Sequence, residues 1–222
     1  MTAAFHKRYA IYFCLPQESD FQHAAAAWLG WDVDLGEPVP CVVREEWVTT
    51  PRKYGFHATL KPPFKLKEGT SLEQVKEDLR RSLAQQPAFS LGHLEVRAIG
   101  RFLALMPMEQ TAQLEALAAV MVSDLDRHRA APTEKELMRR RAAALSEREE
   151  ALLQRWGYPY VMERFKFHMT LTGALDDLQP AQECAEGYFS QFLKQEIKLT
   201  EVALCGERQD GSFEIIERFS LS

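Results

Sequence analysis

Apolar and polar positions alternate strictly through Tyr54-Gly55-Phe56-His57-Ala58-Thr59-Leu60 and again through Phe165-Lys166-Phe167-His168-Met169-Thr170-Leu171, 111 residues further on. A strand sends successive side chains to opposite faces, so each stretch predicts a strand with one polar and one buried face. In the first, Lys53, His57, Thr59 and Lys61 share a face opposite Phe56, Ala58 and Leu60. In the second, Lys166, His168, Thr170 and Thr172 share one opposite Phe165, Phe167, Met169 and Leu171. Both copies read Phe-His-x-Thr-Leu in a chain with six histidines, a recurrence that marks the pair as the candidate active site.

The remaining elements follow from the same pattern. Arg8–Leu15, rich in aromatic and β-branched residues, predicts a central strand, and Ser19 or Asp20 can cap an alanine-rich helix reaching Trp28. Residues 30–40 break regularity, Cys41–Val48 reads as a short strand or an irregular approach, and Pro62-Pro63 should stop the first motif strand soon after Lys61. Ser71–Gln86 is an amphipathic helix; Phe89–Ile99 and Phe102–Met108 predict a hairpin, followed by a helix over Glu109–His128. Charged residues 131–156 read as solvated helices with breaks or caps at Pro132-Thr133 and Leu145-Ser146. After the second motif come a helix near Asp177–Lys194 and a hairpin, Ile197–Cys205 with Phe213–Phe219, turned at Asp210-Gly211.

Motif strand, helix and hairpin thus recur. The expected fold class is α+β and bilobal: two lobes related by a pseudo-twofold axis, each with an antiparallel sheet and helices, and an active-site cleft between them. The division this predicts is lobe 1 over residues 1–130, a helical connection over 131–157 and lobe 2 over 158–222.

Composition narrows the partners. With 46% hydrophobic and 27% charged residues the chain reads as an ordinary globular protein, and a net charge of −5 argues against general nucleic-acid binding, leaving RNA ends open. A small anionic ligand in a locally basic pocket fits that balance. Cys14, Cys41, Cys184 and Cys205 are too dispersed for a zinc site and read as reduced thiols. Met1–Arg8 lacks a signal-peptide core and no long apolar run predicts a membrane span, so the expected location is the cytoplasm.

Residues 56–64 (Phe-His-Ala-Thr-Leu-Lys-Pro-Pro-Phe), the run Arg139-Arg140-Arg141 and residues 156–173, with their paired His-x-Thr motifs, resemble the two-histidine (2H) phosphoesterase superfamily. More narrowly they look like its bacterial branch encoded near phosphonate-utilisation genes. The resemblance covers nearly the whole chain. It implies a bilobal α+β fold with both motifs at the lobe junction, no metal or other cofactor, and action on phosphodiesters, often cyclic phosphates. For this branch it implies a small phosphorylated substrate: a phosphoribosyl intermediate of phosphonate breakdown, for example a cyclic phosphate of ribose, or a nucleoside 2′,3′-cyclic phosphate.

Diester hydrolysis needs one proton taken from water and another given to the leaving oxygen, and two imidazoles on opposite sides of phosphorus, one neutral and one protonated, can do both. Thr59 and Thr170 are expected to donate to non-bridging oxygens, with Lys61 as an additional cation and Lys166 as a second candidate. Either histidine could be the base. Tyr12 would line the cleft if its strand neighbours the motif strand, against the commoner fate of core packing. Gly55 lets a ligand or neighbouring backbone approach, or marks a bulge. The Arg139–Arg141 run is either a wet helical face or a phosphate contact. His6, His23, His93 and His128 lack the threonine and receive no chemistry. Two other classes stay open: a binding module that holds a phosphorylated nucleotide or sugar without turnover, and a metal site at His57 and His168, the weakest because neither motif adds a second ligand at suitable spacing.

Overall fold

Five consecutive buried residues, Tyr9–Phe13, form β1, the strand on which both faces of the main sheet are packed. The structure, a computed structural model, describes residues 6–222; residues 1–5, most of the Met1–Arg8 stretch, lie outside the described residues. Ser19 caps α1 (Asp20–Leu29) by accepting from the Gln22 N–H, and Gly30, at φ +75°, ends it. Then come β2 (Trp31–Asp32) and β3 (Glu37–Pro38), a small hairpin, and the short α2 (Glu45–Val48). β4 (Ala58–Phe64) carries the first motif and leads to α3 (Leu72–Leu83), opened by a capping box between Ser71 and Gln74. β5 (Phe89–Gly92), β6 (Leu94–Ile99), β7 (Phe102–Pro107) and α4 (Ala112–Asp124) follow. Capping boxes at Thr133 and Ser146 start α5 (Glu134–Arg141) and α6 (Glu147–Trp156), as their sequence predicts. β8 (Met169–Thr170) carries the second motif, and α7 (Gln179–Phe189), β9 (Ile197–Leu199), β10 (Glu201–Glu207) and β11 (Phe213–Ser220) complete the chain.

Seven strands make one sheet in the order β11-β10-β1-β4-β8-β7-β6, and β5 pairs with β9 apart from it. Every pairing is antiparallel. The α+β class is as expected, but the strands do not sort into contiguous lobes over 1–130 and 158–222. The hairpin β6–β7 of the first half pairs with β8, and the hairpin β10–β11 of the second half pairs with β1. The two groups, β11-β10-β1-β4 and β8-β7-β6, meet through one residue pair, Ala58 with Met169.

On one face, Ile11, Phe13, Ala58, Leu60, Leu103, Leu105, Met169 and Leu171 pack under residues of α1, α3, α4 and α7. On the other, Ala10, Tyr12, Cys14, Ala203, Cys205 and Phe213 pack with Trp31 and Val33. Cys14 and Cys205 belong to this core as free thiols, Cys41 is partly buried, and Cys184 is exposed.

Local departures from the expected elements have physical causes. β4 runs on through Pro62 and Pro63, because β8 pairs with it at Ala58 alone and leaves that edge needing no amide donors. The strand expected over Phe89–Ile99 splits at Gly92, whose φ of +71° turns β5 toward β9 while β6 goes to β7. Ile197–Cys205 likewise divides between two partners. Cys41–Val48 is no strand; its last turn is α2, and β2–β3 occupy part of the stretch expected to be irregular.

With only two residues of strand, β8 depends on its side-chain anchors. Phe167, fully buried with its ring 5.6 Å from that of Phe13, is the largest of them. Phe167→Ala is expected to cost about 3–5 kcal/mol, read as a lowered denaturant midpoint with an unchanged slope; a loss below 1 kcal/mol would contradict this role for the ring.

Candidate active site

The seam between the strand groups falls at the central residue of both motifs, since Ala58 lies between His57 and Thr59 and Met169 between His168 and Thr170. In an antiparallel register a local twofold passes through that pair, setting His57 opposite Thr170 and His168 opposite Thr59. Ala58 and Met169 point into the helical core, so all four polar side chains rise on the other face. The imidazoles stand on one diagonal, roughly 7–8 Å apart at the β-carbons, with the hydroxyls on the other.

Each ring is oriented in the same way. Nδ1 of His57 donates to the Gly55 carbonyl at 2.9 Å, and Nδ1 of His168 to the Lys166 carbonyl at 2.8 Å. A carbonyl only accepts, so the proton of each neutral ring sits on Nδ1 and Nε2 keeps its lone pair for the cleft. The Thr59 hydroxyl lies 3.2 Å from Nε2 of His57 and is its donor.

The surroundings are asymmetric. Tyr12 pairs with Thr59 across β1 and β4, and its ring stacks on His57 at 3.8 Å between centroids. The equivalent neighbour of Thr170 is Ala104, too small to cover His168; Phe102 lies 6.0 Å from that ring. Burial accordingly pulls the His57 pKa down to about 4, opposed by the Gly55 carbonyl and assisted by repulsion from His168. His168 is also lowered by burial, with the Lys166 carbonyl opposing and the Lys166 charge assisting. In the free protein both rings are neutral near neutral pH, in place of the one neutral, one protonated pair expected from ordinary values.

Backbone positioning comes from residues the sequence did not single out. Gly55 has φ +68°, and a β-carbon there would fall 2.5 Å from the Val33 side chain, so the close approach is to Val33. Ahead of β8 the chain has no ladder partner, and the Gln110 side chain replaces one: it accepts from the Phe167 N–H at 2.8 Å and donates to the Phe165 carbonyl at 3.1 Å. Tyr54, 6.2 Å from His57 and 5.3 Å from Phe213 between ring centroids, adds an aromatic wall. Nothing in the spacing of Gln110 or Tyr54 announces these roles.

Of the two expected cations, Lys61 is not in the cleft, whereas the charge of Lys166 is felt by His168. Lys61 is displaced by a bulge between the pairs Tyr12–Thr59 and Ile11–Lys61, which rotates it to the helical side. It is buried there, donates to the Val122 carbonyl at 3.0 Å, and burial pulls its pKa down to about 8. Lys166 is exposed and serves through its carbonyl, and Thr172 is buried, accepting from the Leu103 N–H. Tyr12, the residue with two expected fates, is both buried and in contact with the catalytic candidate His57. His128 and His6 are held by carboxylates, Asp78 and Glu214, away from the motifs. Among the described residues no three His, Cys, Asp or Glu side chains converge as a metal site, and no helix is long and apolar enough to cross a membrane.

The two Phe-His-x-Thr-Leu segments thus lie side by side at the centre of an antiparallel sheet. The chain belongs to the family described as protein of unknown function (DUF1045), whose profile matches residues 59–214. It is similar to the ribose 1,5-bisphosphate phosphokinase PhnN of Janthinobacterium sp. (strain Marseille), with 40% identity over 196 residues covering 82% of this chain and 43% of that protein. The protein of the same name from Laribacter hongkongensis (strain HLHK9) is 37% identical over 176 residues, covering 77% and 41%. The chain spans less than half the length of these curated relatives. Among solved structures, E. coli LigT complexed with 3′-AMP is 17% identical with a TM-score of 0.47, covering 98% of this chain and 99% of that one. LigT in apo form gives 0.49 at 16% identity, covering 99% of each.

The unfolded chain takes up a proton at His57 near 6.5, whereas the folded chain resists until about 4. Folded stability therefore falls as pH drops through that window. Thermal melts of wild type and His57→Gln should diverge between pH 6.5 and 4, the variant losing less; parallel curves would show that the ring is not held neutral. Gly55→Ala, which displaces the carbonyl that orients His57, is expected to lower the melting temperature by several degrees, consistent with about 1–3 kcal/mol of strain.

Proposed function

We propose that this protein is a metal-independent phosphodiesterase that hydrolyses a small cyclic phosphate or phosphodiester by general acid and base catalysis from His57 and His168. The observation that supports the reading is the seam at Ala58 and Met169, which puts His57, Thr59, His168 and Thr170 on one face of the sheet, each imidazole with Nδ1 on a backbone carbonyl. The site sits among threonine, tyrosine and phenylalanine side chains, a donor set suited to an anion and poor for a metal.

The asymmetry favours one division of roles. His57, the more deeply depressed base, is neutral with Nε2 available once the Thr59 hydroxyl turns to the substrate, and it takes the proton of the attacking water. The water oxygen bonds to phosphorus as the ester P–O bond breaks, and His168, protonated beside the anionic phosphate, delivers its proton to the leaving oxygen. Thr59 and Thr170 donate to the non-bridging oxygens, where negative charge accumulates. A ribose cyclic phosphate is the first substrate to try, because the matched relatives are named for ribose 1,5-bisphosphate.

A panel of ribose and nucleoside cyclic phosphates and linear diesters, with excess chelator present, tests the reading. His57→Ala and His168→Ala should each reduce kcat/KM by at least about 100-fold with the fold retained. Turnover abolished by chelator, or equal in wild type and both variants, would reject it, and ligand binding without turnover would favour the binding module. Because kcat/KM reports the free protein and kcat the bound complex, where phosphate raises both histidines, the kcat optimum should lie at higher pH than the kcat/KM optimum. Coincident optima would contradict the electrostatic assignment.

A further inference from the structure

Leu94-Glu95-Val96-Arg97 alternates apolar and charged positions along β6, the outermost strand at one edge of the main sheet. Leu94 and Val96 are buried with Leu103 and Leu105 in the helical core, so Glu95 and Arg97 stand on the opposite face, that of the two histidines. Register fixes their rows. Arg97 pairs with Ala104, which pairs with Thr170, and Glu95 pairs with Met106, the residue that the same ladder sets beside His168. Two antiparallel spacings separate Arg97 from Thr170, roughly 10 Å between α-carbons. The side chain between them is only the methyl group of Ala104.

His168 leans into that space. It and Phe102 lie two residues to opposite sides of the Thr170–Ala104 pair, yet their rings approach to 6.0 Å. They meet above Ala104, where a larger side chain would stand between them. Phe102 and Met106, both partly buried, thus flank a floor at Ala104 that runs from His168 to Arg97. The far end of the floor holds a donor and an acceptor side by side. Arg97 forms an ion pair with Glu95, and its Nη2 donates to the Met108 carbonyl at 3.3 Å. Oε1 of Glu95 is shielded from water, yet among the described residues it receives no well-directed hydrogen bond.

We propose that Glu95 and Arg97 are specificity-determining residues that bind hydroxyl groups on the leaving side of the substrate, so that a diester of a polyol is preferred to one that lacks hydroxyls. A hydroxyl both donates and accepts, so one such group satisfies the carboxylate and the guanidinium together. The pair is neutral as a whole, and a second phosphate in its place would meet the Glu95 charge. Phe102 and Met106 offer apolar contact to the C–H face of the polyol, the usual division between walls and a few placed polar groups. This deepens the phosphodiesterase reading and rests on it for direction: His168 protonates the leaving oxygen, and the released alcohol lies over Ala104.

The test compares myo-inositol 1,2-cyclic phosphate with the cyclic phosphate of cis-cyclohexane-1,2-diol, the same carbon ring without free hydroxyls. Wild type should prefer the inositol ester. Arg97→Gln is expected to lower the ratio of the two kcat/KM values by about 10- to 100-fold, and Glu95→Gln by about 3- to 10-fold. Arg97→Lys keeps a cationic donor and should recover part of the ratio, which a merely structural loss would not allow. A ratio that is the same in wild type and Arg97→Gln overturns the assignment. In a second arm, myo-inositol 1-phosphate and cyclohexyl phosphate are titrated calorimetrically into wild type and Arg97→Gln. Wild type should bind the inositol ester at least about fivefold more tightly, and the variant should lose that preference; equal affinities in wild type also overturn the assignment. Absence of turnover from both cyclic esters, with the arginine-dependent preference retained, would reject the phosphodiesterase reading and leave the hydroxyl site standing. Thermal melts confirm that these edge-strand substitutions leave the fold intact.

Discussion

Everything about the site depends on one antiparallel contact, Ala58 with Met169, where two strand groups touch through a single residue pair. A longer ladder would have placed the motifs in some register; a one-residue ladder has only one, and it centres the local twofold on the residue between each histidine and its threonine. Were either strand to slip by one position, the polar set would turn into the core, because side-chain direction reverses at each residue. The apolar residues under the seam, buried completely at Ala58, Phe167 and Met169, hold the register that so few backbone bonds could not.

That constraint explains the exchange of hairpins. Each half of the chain contributes one motif, but β6–β7 completes the sheet around the second motif and β10–β11 completes it around β1 and the first. Neither half owns a complete half-sheet. The seam is thus buried between elements from both ends of the sequence, and packing from either end fixes the distance between the two imidazoles.

Symmetry of position does not bring symmetry of environment. The exchange of Tyr12 for Ala104 beside the equivalent threonines buries one imidazole under a ring and leaves the other more open. Two groups of the same chemistry are thereby driven to different proton affinities, the usual route by which a pair divides into acid and base. Lys61 is likewise turned away from the first motif's polar face to the helices, while the charge of Lys166 stays within reach of His168.

The alternation of Phe56, Ala58 and Leu60 with His57 and Thr59, and its echo at 167–171, determined from sequence alone which faces are wet, which are buried and which four side chains belong together. Caps at Ser19, Ser71, Thr133 and Ser146 were equally legible, because a cap is a local hydrogen bond between residues three apart. Lys61 was misplaced because a bulge is a property of a strand pair, and no period within one strand reveals it. Gln110, Tyr54 and the partition of the hairpins are contacts between segments distant in sequence, whose pairing is chosen by which buried faces fit. Local pattern set the chemistry of the motifs, and tertiary structure decided their partners, their proton affinities and where the charge around them lies, because each of those is a long-range contact or a burial that only the packed chain creates.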